Sequence, residues 1–382
     1  MQNNKVDAIL ISNANFSSSA GNVTLVLRRA EALFNVYGIY THIFVFMSRY
    51  SKSIIPTEGD YYSISYIENW KELKKRIIKK NSRLIILYGD KVELLTYPIH
   101  KIIKKNKLCS KVILDVQSCV EEKKEYAKGF FRKLLYPAYL IAFKKAINDV
   151  DAAFVVSDEL IQNCNQKRKN KKPISYYKIR CGITKLFCSD ELYKNREVVR
   201  KQLGIPLDAT VFVYSGYRTA WQRVDDIIRD FSEYDRLLDN VYFLFLCNID
   251  DQFENKLKAV FPKGNYSASF LGKSEYFKVL SSCDIGYILR CYDETNRVAF
   301  PNKFSDYLSS GLLLAMNSAL SEPMRLLREK NLPIINTDDR KDENINIINK
   351  YVENRHEYIA DALELCRTEL LYDSQVRKID IL

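Results

Sequence analysis

Apolar residues in this chain come in short blocks separated by amphipathic stretches, and the alternation begins within the first ten residues. "VDAILIS", a polar Ser/Asn/Gly loop, "TLVLRRAEALFNVYG" and "THIFVFM" read as strand, loop, helix and strand. Further strands are expected at "RLIILYG", "KVILDVQ" and "DAAFVVS", with helical periodicity over 70–80, 94–106 and 130–147 between them. The same grammar restarts with "TVFVYSG" and runs through "RVDDIIRDFSEY", "VYFLFLCN", "QFENKLKAVF", "YSASFLG" and "SEYFKVLSSC" to "DIGYIL". Two such runs predict an α/β protein of two Rossmann-like, doubly wound domains. "RCGITKLFCSDELY" follows neither period and marks the boundary, giving domains at 1–182 and 183–355. "NRHEYIADALELCRTELLYD" predicts a terminal helix within 356–382.

The stretch from Cys283 to Met316 carries the most chemistry. It reads as a strand, a polar loop, a short helix and a second buried strand. Pro301 opens the helix and Gly311 closes it, because proline suits a first turn and glycine the residue past the last. Within it Phe304 and Leu308 face the core, while Lys303 and Asp306 share a neighbouring face. A lysine beside the free N–H groups of a helix start suits a diphosphate, and a carboxylate one turn on suits ribose hydroxyls.

This segment resembles the signature P-x-K-x-x-E-Y-L-x-x-G of the retaining GT-B glycosyltransferases of the family-4 (group 1) type, found among bacterial polysaccharide enzymes. Pro301, Lys303, Tyr307, Leu308 and Gly311 match, and Asp306 stands where the family has Glu. "SGYRTAWQRVDDIIRDF" (Ser215 to Phe231) is similar to the family's phosphate loop, "KIRCGITKLF" to its linker approach, and "VILDVQSCVEE" to a D-x-H-G-type segment with Gln117 replacing the basic residue. The resemblance implies two domains facing a central cleft, a C-terminal helix returning to the first domain, and a sugar nucleotide as substrate with no separate cofactor. It implies a transfer to a glycan or lipid-linked acceptor in capsule, O-antigen or exopolysaccharide synthesis.

Donor-site candidates under that resemblance are Gly216, Arg290, Asp293, Glu294, Asn296, Lys303, Asp306 and Tyr307, with Arg297 a weaker one. Lys303, Arg218, Arg223 and Asp115 are the expected catalytic residues: the three cations meet charge developing on the departing diphosphate, and Asp115 orients or deprotonates the acceptor hydroxyl. Ser19, Gly21, Asn22, Glu121 and Glu122 are the acceptor-side candidates. The pattern is not intact. The family places Arg directly after the loop glycine and Lys six residues beyond, where this chain has Tyr217 and Gln222, each followed by Arg. A second family Glu would fall at Val298. A non-catalytic GT-B scaffold with an eroded donor site, and a sugar-nucleotide epimerase, therefore stay open as alternatives.

Composition narrows the setting. The net charge of +12 is uneven: residues 1–180 hold 32 Lys/Arg against 16 Asp/Glu, and the remainder 27 against 31. Basic stretches at Trp70 to Lys80 and Glu125 to Lys145 interleave lysines with aromatic and aliphatic residues, as a surface on an anionic membrane would. Basicity without a nucleic-acid module predicts only non-specific, salt-dependent nucleic-acid binding. Nine cysteines without a C-x-x-C pair suggest reduced thiols, and His42, His100 and His356 are scattered, so no metal site is expected. The one D-x-D, Asp149 to Asp151, reads as a helix end meeting a strand. Lacking a signal-peptide pattern, and with its longest lipid-like run about half the ~20 residues a span needs, the chain is expected to be cytoplasmic and peripheral on the inner membrane face.

Overall fold

The computed structural model describes residues 7–16, 21–46, 56–89, 92–126, 129, 133–169 and 173–380, and all structural statements concern these. They form two compact units: residues 1–184 with 370–382, and residues 185–369.

The first unit is built on seven strands: β1 (Asp7–Ser12), β2 (Tyr40–Phe46), β3 (Tyr62–Ile67), β4 (Leu84–Tyr88), β5 (Lys111–Val116), β6 (Ala152–Val155) and β7 (Ser175–Lys178). All pair in parallel, in the order β3-β2-β1-β4-β5-β6-β7. β1, β4 and β5 are buried almost throughout, which is why they read as unbroken apolar runs. The edge strands β3 and β7 are half polar and carried no strand signal.

The second unit repeats the plan with β8 (Thr210–Ser215), β9 (Val241–Leu246), β10 (Tyr266–Ser269), β11 (Ile285–Ile288), β12 (Leu313–Met316) and β13 (Ile335–Asn336). They are again parallel, in the order β10-β9-β8-β11-β12-β13. Strand order reverses between β1 and β4 in one unit and between β8 and β11 in the other. Ligands of doubly wound sheets sit beyond the strand ends at such reversals.

The start of β11 is fixed by Asp284, fully buried among three arginines. Arg196 and Arg200 reach it at 2.7 Å and Arg355 at 2.5 Å, and the Val211 N–H donates at 2.8 Å. Burial alone would raise the pKa of this carboxyl, but the charges of Arg196, Arg355 and Arg200 outweigh it and hold it below the ordinary range. The cluster ties the helices Ser189–Leu203 and Arg355–Leu365 to the sheet.

The returning segment is shorter than the expected 356–382. Arg355–Leu365 belongs to the second unit, held by Asp284 and by Tyr358, whose hydroxyl donates to the Leu312 carbonyl at 2.9 Å. The chain rejoins the first unit at Leu370, where the Ile183 N–H donates to the Leu370 carbonyl (3.0 Å) and the Tyr372 N–H to the Ile183 carbonyl (2.9 Å). Asp149 closes the helix Tyr136–Asp149, and Asp151 accepts the Val112 N–H at 2.8 Å.

Replacing Asp284 with Ala leaves the arginines uncompensated and should destabilise the second unit by about 3–5 kcal/mol in urea titrations. Because the native carboxyl pKa is depressed, its stabilisation is complete above the unfolded value of about 3.9 and lost as pH falls through the native one. The wild-type-to-variant gap should thus hold at neutral pH and narrow only below about pH 4.

Candidate functional site

At the reversal point of the second sheet, β8 ends in Ser215 and the chain turns through Gly216 with φ +114°. A side chain there would be strained and would meet Lys303, whose Cε lies 2.8 Å from the position of a Cβ. Lys303 sits in the first turn of the helix Asn302–Ser309, with Pro301 at its N-cap. Tyr307, one turn further on and fully buried, fastens that helix: its hydroxyl accepts the Ser215 N–H at 2.9 Å and lies 2.9 Å from Ser215 Oγ. The ring fits only because β11 carries Gly286, where a Cβ would fall 2.7 Å from the Tyr307 Cγ.

Two cations converge here. Lys303 Nζ donates to Gln222 Oε1 at 2.9 Å, and Arg290 Nη1 donates to the same oxygen at 2.6 Å. Both neighbours can only donate, so the amide oxygen is the atom that faces them. Arg290 lies two residues past the end of β11, and its backbone is clasped by Asn317, which accepts from its N–H (3.1 Å) and donates to its carbonyl (2.8 Å). Lys303 lies 4.3 Å over the Tyr214 ring and has no ion-pair partner among the described residues. Burial, then the charge of Arg290, push its pKa well below the usual lysine value. Asp306, partly buried, is near enough for its charge to favour protonated Lys303 and to oppose ionisation of Tyr276. Two fixed cations held on one neutral oxygen above a glycine suit an anion that offers several oxygens.

The other donor-side candidates are engaged with neighbouring side chains. Arg218 is bound to Asp250 and stacks 4.4 Å over Phe253. Arg223, at φ +50°, pairs with Asp226 at 2.7 Å. Both line a separate groove of about 580 Å³ whose Lys256 also has an acidic partner, Asp225. Asp293 caps the short helix Glu294–Arg297 by accepting from the N–H and side-chain amide of Asn296, and Glu294 pairs with Arg297 at 2.7 Å. These four residues serve a local turn that composition presented as an open loop. Tyr307 positions the helix rather than facing a ligand. Gln222, Tyr214 and Asn317 were missed; only Gln222 left a signal, as a departure from the family pattern.

At the reversal point of the first sheet a cavity of about 520 Å³ opens beside the ends of β1, β4 and β5, lined by Asn13, Asn15, Gly89, Gln117, Glu122 and Tyr139 among others. Asp115 is there but engaged: it forms a buried ion pair with Arg29 and accepts from the Gln117 amide. Arg29 in turn donates to the Ile179 carbonyl at 3.3 Å. Both engagements hold the Asp115 carboxylate in place at the cavity wall. Glu121 pairs with Lys167 at 2.9 Å and does not line this cavity, whereas Glu122 does. Gly21 and Asn22 open the helix Gly21–Tyr37, and Ser19 lies outside the described residues. Among the described residues no His/Cys/Asp/Glu cluster could hold a metal.

No protein-family profile and no curated protein matches the chain. Solved structures do. Sucrose-phosphate synthase from Thermosynechococcus elongatus aligns with TM-score 0.69 at 12% identity over 97% of each chain. WaaG, a glycosyltransferase involved in lipopolysaccharide biosynthesis, gives 0.63 at 12% identity over 97% of this chain and 98% of its own. Anabaena HepE in complex with UDP-glucose gives 0.64 at 11% identity over 97% of each. The fold is GT-B. At these identities the likeness reaches the fold and no further.

A carboxylate at position 222 would neutralise the two cations from within. Gln222→Glu should therefore raise the melting temperature, by about 1 kcal/mol in stability, and abolish any stabilisation by added pyrophosphate. Asp115→Asn should cost about 3–5 kcal/mol, because Arg29 is left buried and unpaired. Loss of activity in that variant should therefore come with a lowered melting temperature.

Proposed function

We propose that this protein is a glycosyltransferase that binds a nucleoside-diphosphate sugar in its second unit, with the diphosphate over Gly216 between Lys303 and Arg290. The observation that carries the reading is the convergence of those two cations on the Gln222 oxygen at the strand-order reversal. Its support from the comparisons is coarser: HepE was solved with UDP-glucose, and WaaG acts in lipopolysaccharide biosynthesis.

In the proposed reaction the bond from the anomeric carbon to the diphosphate oxygen breaks while a bond to the acceptor oxygen forms on the same sugar face. The acceptor proton passes to the departing diphosphate. Charge grows on that diphosphate as the bond lengthens, and Lys303 and Arg290 stabilise it without rearranging. Asp306 takes ribose hydroxyls. The scheme calls for neither a metal nor a protein base, consistent with Asp115 being held by Arg29. The acceptor is a glycan or lipid-linked sugar of a bacterial surface polysaccharide, taken in the cavity that Gln117 and Glu122 line. Neutral Gln222 where the family has a cation keeps a second reading in play, a GT-B protein that binds the nucleotide without turnover.

UDP, GDP or ADP, at about 100 times its dissociation constant, should stabilise the protein by about 2.7 kcal/mol in thermal-shift assays, and Lys303→Ala should remove most of the gain. The depressed Lys303 pKa means that folding favours the neutral amine, so stability rises with pH from the native value toward the ordinary ~10.4. A bound diphosphate reverses the shift, so binding in that window should take up protons, measurable by calorimetry in buffers of different ionisation enthalpy. No shift with any diphosphate would defeat the proposal; a shift without turnover across a donor and acceptor panel would favour the second reading.

A further inference from the structure

The helix Trp70–Lys80 buries Leu73 and Ile77. Its polar stripe, Glu72, Lys75, Arg76, Lys79 and Lys80, follows the i, i+3, i+4, i+7, i+8 spacing of one helical face. That stripe forms one wall of a recess of about 710 Å³, which shares no lining residue with the cavity at the strand-order reversal of the same unit. The floor is the sheet. Tyr40, His42 and Phe44 alternate along β2, and the register sets His42 beside Ser63 and Phe44 beside Ser65 of β3. A sheet face next to a helix is ordinarily apolar, so a histidine and two serines there call for a reason.

His42 is only 8% exposed, and its ring is fixed from both sides. The Lys80 ammonium, which can only donate, lies 2.9 Å from Nε2, so that nitrogen accepts and Nδ1 donates to Ser63 Oγ at 2.9 Å. Burial lowers the His42 pKa and the charge of Lys80 adds to this, while Asp7, 3.1 Å from Nε2, opposes it. Ser63, already an acceptor, keeps its own hydrogen for a ligand. Of the cations on the wall, Arg76 is taken up by Glu72 at 2.7 Å. Lys75 and Lys79 have no ion-pair partner among the described residues, and the other carboxylate of the lining is Glu58.

We propose that this recess is a second binding site, for a sugar monophosphate, whose phosphate meets Lys75, Lys79 and Lys80 while sugar hydroxyls reach Ser63 and Ser65. Lysines three to five positions apart on one helix face can converge on a single compact anion, and serine hydroxyls both donate and accept, as sugar hydroxyls do. The lining does not suit a nucleobase. Phe44 lies under the Arg76 guanidinium at 5.9 Å, and Tyr40 packs against His42 at 5.2 Å, so neither ring is open to stacking. A flat lipid surface would meet the exposed lysines but not the half-buried serines.

The test is calorimetric titration of glucose 6-phosphate into the full chain and into its Lys303→Ala variant, which lacks a cation of the second unit. Both should bind it saturably, more weakly as salt rises. Lys75→Glu with Lys79→Glu, at two exposed positions, should weaken binding about tenfold or more while leaving any thermal shift by UDP at its wild-type size. Ser63→Ala should weaken glucose 6-phosphate about threefold or more and inorganic phosphate hardly at all, a split that general loss of structure would not produce. Were that variant to melt early, Ser65→Ala serves in its place. Binding that vanishes in Lys303→Ala, or that survives the double lysine substitution, would overturn the proposal. So would equal affinity for glucose, or pelleting with phosphatidylglycerol vesicles, lost in the lysine variant, without saturable heat from glucose 6-phosphate.

Discussion

The hydroxyl of Tyr307 is the point on which the second unit's chemistry depends. By accepting the Ser215 N–H it joins the crossover helix between β11 and β12 to the end of β8, two segments some ninety residues apart in sequence. Gly286 is the condition for that bond, because any side chain in β11 at that level would fill the place of the aromatic ring. Once the helix is seated, its first turn overhangs Gly216, and Lys303 has nowhere to go but across the Tyr214 ring toward Gln222. The Arg290–Asn317 clasp fixes the other cation in the same way, through backbone rather than side chain. The charges at this site are placed by buried, mostly uncharged contacts.

The strand-and-helix alternation was legible because central parallel strands must be apolar on both faces, and β1, β4, β5, β8, β9, β11 and β12 all announced themselves. β3, β7 and β13 did not: edge strands are half solvated or very short, and their residues look like loop. The helix Ser189–Leu203 was hidden for a related reason. Two of its arginines turn inward to Asp284, so its buried face is partly cationic and shows no hydrophobic period. Fastening by ion pairs leaves little trace in a hydropathy pattern.

The site was legible in part, and the division is instructive. Lys303, Gly216 and Asp306 could be placed because Pro301 and Gly311 bound a short helix whose register then follows. Arg218 and Arg223 could not, since a cation in a loop is free to turn to whichever acid lies nearest, and Asp250 and Asp226 took them. Arg290, from another strand end, reaches the Gln222 oxygen beside Lys303. Sequence spacing fixes side-chain direction inside a helix; in a loop the direction is set by partners that are distant in the chain.

The two reversal points, alike in topology, have been given opposite electrostatics. In the second unit the floor is a glycine beneath two cations that share one neutral acceptor, with Asp306 near enough for its charge to favour protonated Lys303. In the first unit the comparable position holds a carboxylate paired with Arg29, and the rest of the cavity wall mixes amides, aromatic and aliphatic side chains with Glu93, Glu122 and Lys123. A convergent pair of cations suits charge, whereas amides and rings suit hydroxyls and apolar faces. The same backbone scaffold thus presents two strand-order reversals with differently arranged charges. The difference lies in what the buried charges at each strand end face: a shared neutral amide oxygen in one unit, an opposite charge in the other.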